Sequence, residues 1–133
     1  MKIAISSINN KEDSPIDPRF GRAAYFIIVK IDKERKKYKV IKTIKNPNVN
    51  VGGGAGISAA ELVANENVKA IITGNIGPRA MDVFKRLKIE VYRATGTVKQ
   101  GIENFIKNKL QKINIPGPMG IGKGFGRGRR FRL

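Results

Sequence analysis

Hydrophobic and polar positions in the first half of the chain predict three strands. Residues 2–7 (KIAISS) alternate between apolar and polar side chains, as a short strand does. Residues 24–31 (AYFIIVKI) are almost continuously apolar, which indicates a central strand buried on both faces. Residues 37–44 alternate again after a short turn, so the last two strands form an antiparallel hairpin. The side chains expected to point inward from the third strand are Tyr38, Val40 and Ile44.

The second half changes to helical spacing interrupted by short apolar runs, which predicts alternating helices and strands. The predicted helices are residues 57–66, 78–87 and 97–110, and the predicted strands are residues 69–73 and 89–92. Gly77 with Pro78 begins the second helix, Thr97 caps the third, and Asn67 ends the first. The apolar positions expected to face the core are Ile57, Ala60, Val63, Ala64, Ala80, Val83, Phe84, Leu87, Val98, Ile102, Phe105 and Ile106. Strand–helix–strand repetition with short links implies parallel pairing.

Two loops and a tail complete this organisation. The loops cover residues 8–22 and 46–56, and both are polar and rich in turn-forming residues. From residue 114 onward the chain is rich in Gly and Arg and has no apolar periodicity, so it cannot order itself by burial. We therefore expect one α/β domain over residues 1–113 and a disordered basic tail over residues 114–133.

The absence of two residue types limits the catalytic and metal-binding chemistry available to the chain. The 133-residue chain contains no Cys and no His. It therefore lacks the usual thiolate nucleophile, the usual base near neutral pH and both soft metal ligands. Structural zinc and an iron–sulfur cluster held by the chain's own thiolates are excluded. The sequence also predicts no secretory signal and no membrane span, so a cytoplasmic location is expected.

The charge balance indicates an anionic partner. The chain has 27 basic and 10 acidic residues, a net charge of +17. Five of the basic residues follow Ile113, so the domain itself keeps 22 basic residues against 10 acidic ones, or +12. Such a field attracts nucleic acid, anionic cofactors or acidic protein surfaces. The alternative is a lysine-rich surface suited to a hot habitat.

Glycine-rich segments precede the first two predicted helices. The first contains Gly52, Gly53, Gly54 and Gly56, and the second contains Gly74, Asn75 and Gly77. Helix starts offer free N–H groups and a positive dipole end, so they favour anions. In a parallel sheet both segments follow the carboxyl ends of strands, where open α/β sheets bind ligands. The alternative is that they are merely tight turns.

A dinucleotide site is a weak interpretation of the same glycines. Residues 54–59 satisfy G-x-G-x-x-A, but they follow a long loop instead of a strand. The position about 20 residues further on, where an acidic ribose ligand is needed, holds Gly74 and Asn75. The Walker pattern fails as well, because no Gly-Lys-Ser or Gly-Lys-Thr follows the glycines.

A second candidate segment comes just before the buried strand. Arg19 and Arg22 flank Phe20 and Gly21 there, and the two guanidinium groups could clasp an anion. The alternative is that Phe20 closes one end of the core while the arginines are solvated. The preceding acids Glu12, Asp13 and Asp17 could bind a hard cation, although Asp17 before a proline is more simply a turn former.

Four segments in order resemble the dinitrogenase iron-molybdenum cofactor biosynthesis family. They are FGRAAYF, GGGAGISAAELV, AIITGNIGPRAMDVF and ATGTVKQGI, and the resemblance extends to about residue 110. It implies a ribonuclease H-like three-layer fold with a five-stranded mixed sheet, one antiparallel strand and flanking helices. Its members carry or process an anionic iron–sulfur–molybdenum precursor. Where many relatives have His before the Phe-Gly pair, this chain has Arg19, which can pair with an anion but cannot coordinate iron.

The resemblance implies a non-enzymatic carrier that binds an anionic iron–sulfur or iron–molybdenum cluster precursor and meets an acceptor or assembly protein. The predicted cofactor-binding residues are Arg19, Phe20, Gly21, Arg22, Gly52, Gly53, Gly54, Gly56, Gly74, Asn75, Gly77 and Arg79. No residue is predicted to be catalytic or to ligate metal. A nuclease is not expected, because the predicted strands carry no set of carboxylates for two metals.

The tail supports an alternative function. Its Arg and Gly residues are interleaved with Phe125 and Phe131, a composition found in segments that bind single-stranded nucleic acid. It could equally dock on an acidic protein, or be a dispensable solvated tail.

Overall fold

The structure, a computed structural model, describes residues 1–48 and 54–114 as an α/β fold. Its strands are β1 (Lys2–Ser7), β2 (Tyr25–Asp32), β3 (Lys37–Lys45), β4 (Ala70–Thr73), β5 (Glu90–Arg93) and β6 (Gln111–Lys112). Its helices are α1 (Ala55–Ala64), α2 (Pro78–Arg86) and α3 (Val98–Ile106). The predicted tail beyond residue 114 lies outside the described residues. In the described ranges, no helix has the length and apolar character needed to cross a bilayer.

One mixed sheet joins the six strands in the order β3-β2-β1-β4-β5-β6. Strands β1, β3, β4 and β5 run in one direction, while β2 and β6 run in the other. The sequence predicted five strands, one of them antiparallel. This prediction was wrong, because the sheet contains a sixth strand, β6, which is also antiparallel. This strand is two exposed residues long and carries no apolar alternation. The buried Ile113 anchors it, since its N–H donates to the Val91 carbonyl oxygen at 2.7 Å.

The core has two parts, one on each face of the sheet. Helices α1 and α2 bury Ala60, Val63 and Phe84 against one face. Helix α3 buries Ile102 and Phe105 against the other. The predicted three layers are thus present, while the more specific ribonuclease H-like assignment stays a prediction.

The helix ends follow the predicted capping residues. Thr97 forms a capping box with Gln100, whose N–H donates to Thr97 Oγ1 at 3.1 Å and whose side chain accepts from the Thr97 N–H at 3.0 Å. Gly77 precedes Pro78 at the start of α2, and Asn67 takes the left-handed φ of 60° just beyond α1. The prediction that Leu87 faces the core was wrong, since α2 has ended and that side chain is 53% exposed.

Three other positions predicted to face inward differ in the structure, because α1 starts earlier than expected and β3 contains an extra residue. Helix α1 begins two residues earlier than predicted and buries Ala55 and Ala59, so Ile57 and Ala64 are only half-buried. In β3, Ile41 is the extra residue of a β-bulge. Tyr38 and Val40 therefore contact the α3 layer, whereas Ile44 packs against the α1/α2 layer.

Because four strands run in the same direction, the sheet has two distinct ends along the strand direction, and we call these ends edges. The carboxyl ends of β1, β3, β4 and β5 meet at one edge, which we call the carboxyl edge. The loop after β1 and the starts of α1 and α2 lie there. The opposite edge, where these strands begin, is the amino edge.

Candidate functional site

A cleft of about 460 Å³ opens at the carboxyl edge, within the usual range for small-ligand sites. Three segments form it: the end of the loop after β1, the start of α1 and the start of α2. Its lining residues are Pro18, Arg19, Phe20, Gly21, Arg22, Gly54, Ala55, Gly56, Ile57, Asn75, Gly77, Pro78, Arg79 and Ala80. We call it the carboxyl-edge cleft.

Asp17 shapes the loop that forms one wall of the cleft. Its side chain is 1% exposed, and its carboxylate accepts hydrogen bonds from the Arg19 N–H at 3.0 Å and the Ala24 N–H at 3.3 Å. Its backbone is tied to Ser6, whose carbonyl oxygen accepts from the Asp17 N–H at 3.0 Å. Asp17 is therefore the turn former, and its carboxylate is committed to this loop.

Arg19 is held in place by the same carboxylate. Its Nε lies 3.2 Å from Asp17 Oδ1 and its Nη2 lies 3.3 Å from Oδ2, while the arginine side chain is 64% exposed. The hydrogen bond to Asp17 raises the pKa of Arg19 above its ordinary value. Arg19 thus presents a permanently charged group of restricted orientation at the cleft.

Phe20 connects the cleft to the core. It is 1% exposed, and its ring centroid lies 5.1 Å from that of Phe26 and 5.3 Å from that of Phe84. Its N–H donates to the Asn75 carbonyl oxygen at 3.2 Å, which fixes the loop to the segment before α2. The interpretation of Phe20 as a plug at one end of the core is therefore confirmed.

Two glycines allow the three segments to approach. A Cβ atom on Gly21 would lie 2.9 Å from Gly56 Cα, and one on Gly74 would lie 2.7 Å from Pro18 Cα. Both neighbours are backbone atoms, so neither can move aside easily. Gly74 itself does not line the cleft, and its close contact with Pro18 explains the need for glycine without any ligand.

The starts of α1 and α2 supply hydrogen-bond donors. Neither N-cap residue, Gly54 or Gly77, carries a side chain that could cap its helix. The N–H groups of Gly56, Arg79 and Ala80 have no hydrogen-bond acceptor among residues 1–48 and 54–114. Free N–H groups and helix dipoles at one cleft favour a bound anion.

The side chains add positive charge to these donors. Arg19, Arg22 and Arg79 line the cleft, and its described lining includes no carboxylate. Over the described ranges, no group of three Asp, Glu, Cys or His side chains could hold a metal ion. The alternative of a hard-cation site on the loop acids therefore lacks support: Asp17 holds the loop, and Glu12 accepts a hydrogen bond from the Tyr38 hydroxyl.

Most of the predicted site residues converge. Those that line the cleft are Arg19, Phe20, Gly21, Arg22, Gly54, Gly56, Asn75, Gly77 and Arg79. Gly74 lies behind the lining, and Gly52 and Gly53 fall outside the described residues. Sequence reasoning missed the positioning role of Asp17. The available signal was an acid two residues before a cationic side chain, a spacing that suits an Asx turn.

Comparisons with known proteins concern the family and the fold of the chain. A family model described as dinitrogenase iron-molybdenum cofactor matches residues 1–108. An uncharacterized protein of Methanocaldococcus jannaschii is 43% identical over 114 residues, which are 85% of this chain and 92% of that relative. The apo form of the orange protein from Desulfovibrio gigas has a TM-score of 0.76 at 28% identity, covering 88% of this chain and 96% of its own. A NifB-like protein from Thermotoga has a TM-score of 0.67 at 29% identity, covering 90% and 98%.

Proposed function

Since this chain belongs to the dinitrogenase iron-molybdenum cofactor family, we propose that it is a non-enzymatic carrier of an anionic metal–sulfur cluster or cluster precursor. The cargo would bind in the carboxyl-edge cleft. Family membership supports a role in metallocluster-related processes. The observation that carries the proposal is the meeting of two uncapped helix starts and three arginines in one cleft whose described lining has no carboxylate.

The donor set suits an anion and not a bare metal ion. Guanidinium groups and backbone N–H groups donate hydrogen bonds to sulfide or oxygen at the surface of a cluster. They cannot coordinate iron or molybdenum, and the chain has no Cys or His that could. The metal atoms of the cargo would keep their own sulfide ligands, or take one from an exogenous group or from an assembly partner.

This mode of binding fits a carrier better than an enzyme. A cargo held by hydrogen bonds and charge, without a covalent ligand from the protein, can be released intact to an acceptor. The described lining of the cleft consists of Arg, Gly, Ala, Pro, Phe, Ile and Asn, and no nucleophile–base pair can be assembled from these residues. The orange protein, which resembles this chain in fold, was solved in an apo form.

The test is an anaerobic titration of the protein with an isolated iron–sulfur–molybdenum precursor, followed by gel filtration. We expect visible absorbance to co-elute with the protein. Arg22→Ala should weaken binding about tenfold, as expected for loss of a charge-assisted hydrogen bond. Chemical shifts of the Gly54, Gly56 and Gly77 amides should move on addition of the precursor.

Arg35→Ala is the matched control, because Arg35 lies in the β2–β3 turn with a side chain that is 79% exposed and paired with Asp32. It removes the same charge from the whole molecule and should leave the affinity unchanged. Circular dichroism verifies that both variants are folded. The proposal fails if no absorbance co-elutes at any salt concentration, or if the two variants lose affinity equally.

A further inference from the structure

A row of lysines crosses the amino edge, far from the cleft. Lys39, Lys30 and Lys2 lie directly opposite one another on β3, β2 and β1. Lys69 continues the row, since its N–H donates to the Lys2 carbonyl oxygen at 2.8 Å just before β4. With strands about 4.8 Å apart, these four lysines extend over about 14 Å.

This row opposes the stability of the sheet. Like charges directly opposite on neighbouring strands repel each other. Within residues 1–48 and 54–114, none of the four lysines forms an ion pair, whereas nearby Lys42 lies 3.2 Å from a Glu66 carboxylate oxygen. The folded chain thus keeps a line of positive charge that its own acidic residues leave uncompensated.

A shallow depression of about 430 Å³ adjoins the row. Lys2, Lys30 and Lys69 line it together with Met1 and Ile41, and both of these apolar side chains are 46% exposed. Ile41 is the bulge residue of β3, so the bulge brings an apolar side chain to a surface that is otherwise basic. The patch therefore combines an apolar depression with a border of lysines.

We propose that this patch, Met1, Lys2, Lys30, Lys39, Ile41 and Lys69, docks an acidic segment of another protein that inserts an apolar side chain into the depression. The charge complementarity requires an acidic occupant. A second copy of this chain, with a net charge of +17, would be repelled. The chain's own residues 115–133 carry five basic groups and no acidic one, so they are repelled too.

The composition of the patch favours protein over nucleic acid. Binding to single-stranded nucleic acid relies on aromatic side chains and arginines that stack on bases. The patch has neither, and offers aliphatic surface and lysine ammonium groups instead. An acidic peptide with a leucine matches both features, and the patch lies at the edge opposite the cleft, where such a partner leaves the cleft open.

The probe is a fluorescein-labelled peptide of glutamate and aspartate residues with one central leucine, followed by fluorescence anisotropy. We expect saturable binding that weakens as salt is added. The triple variant Lys2→Glu, Lys30→Glu, Lys69→Glu should bind at least about tenfold more weakly. Ile41→Ser should weaken binding of the leucine peptide but not of the same peptide with serine in place of leucine.

The matched control is Lys99→Glu, Lys107→Glu, Lys109→Glu, which changes the net charge equally at and just beyond α3, on the other face of the sheet. It should keep the affinity within about threefold. Circular dichroism checks folding, and the corresponding Lys→Gln triple replaces any variant that does not fold.

The proposal is wrong if no saturable binding occurs, or if both triples lose affinity equally. It is also wrong if a single-stranded oligonucleotide binds through these lysines more tightly than the peptide. Precursor binding in the cleft should be the same in both triples, so this surface and the proposed carrier function succeed or fail separately.

Discussion

The two edges of the sheet bear positive charge in different ways. At the carboxyl edge, arginines and backbone N–H groups surround a cleft whose walls touch through glycines, and one of these arginines is held by a buried carboxylate. At the amino edge, exposed lysines stand in a row beside a shallow depression. The first edge has closely packed walls around a cleft whose size suits a compact ligand. The second is a charged surface whose flexible side chains can adapt to an extended partner.

This difference predicts different responses to mutation. The cleft is continuous with the core through Phe20, so changes there should affect folding and ligand binding together. In the lysine row, Lys30, Lys39 and Lys69 are exposed and Lys2 is half-buried, so changes there should alter repulsion and docking while the fold persists. Measurements of unfolding free energy on both edges can test this separation.

The largest expected effect is that of Phe20→Ala. Removing a ring that is 1% exposed and contacts Phe26 and Phe84 should lower the free energy of unfolding by about 3–5 kcal/mol. Urea denaturation followed by circular dichroism measures the change. Leu87→Ala is the control, because that side chain is 53% exposed and should cost less than about 0.5 kcal/mol. Equal losses in the two variants would contradict the role of Phe20 as the plug beneath the cleft.

A smaller effect of opposite sign is expected for Lys30→Glu. Lys30 lies between Lys2 and Lys39, so the change replaces two repulsive cross-strand pairs with two attractive ones. The free energy of unfolding should rise by about 1 kcal/mol at low salt, and added salt should reduce the gain. Lys109→Glu, at an exposed position beyond the end of α3, lowers the net charge equally and should give a smaller gain. A loss of stability in Lys30→Glu would show that repulsion among Lys2, Lys30 and Lys39 does not destabilise the sheet.

The smallest effect concerns Glu90, the acid at the amino end of β5. A hydrogen bond from Tyr92 and a second from Lys112 lower the pKa of Glu90. Burial, together with the hydrogen bond to Glu90, raises the pKa of Tyr92 to about 12. A lowered folded-state pKa contributes stability above the ordinary carboxyl pKa, and this contribution is lost as pH falls through the folded value.

Glu90→Gln should therefore be less stable than the natural chain at pH 7, by less than about 1 kcal/mol because Glu90 is half exposed. The difference should vanish in acid, once Glu90 is protonated in the natural chain. Thermal unfolding of both proteins over a pH series measures it. A difference that persists unchanged at the acid end would mean that Glu90 acts through packing and not through its charge.

Local sequence patterns predicted most of the fold. The hairpin, the parallel β4 and β5, and the starts of α2 and α3 depend on periodicity and capping residues that lie close together in the chain. Strand β6 could not be predicted, because a two-residue strand has no alternation and depends on Ile113 packing against a distant layer. The side chosen by Ile44 depends on the bulge at Ile41, and one extra residue reverses which face the following side chains occupy.

The candidate site was predictable to the extent that strand direction determines it. Parallel strands bring the loops that follow them to one edge, so the glycine and arginine segments were expected to meet. The turn at Asp17 was expected from the sequence, whereas the burial of its carboxylate arises from tertiary packing and has no local signal. Gly74 presents the same difficulty, because its close neighbour Pro18 is 56 positions away in the chain.

Strand β3 has a consequence for the solution behaviour of the protein. It ends one side of the described sheet, and an outermost strand with free backbone groups is a template for cross-β fibrils. Here the strand carries Lys37, Lys39, Lys42 and Lys45, and the bulge at Ile41 twists its backbone. Two-residue β6 ends the other side and offers almost nothing to pair with. These four lysines, of which Lys39 also belongs to the repulsive row, thus oppose the pairing of β3 with a strand of another molecule.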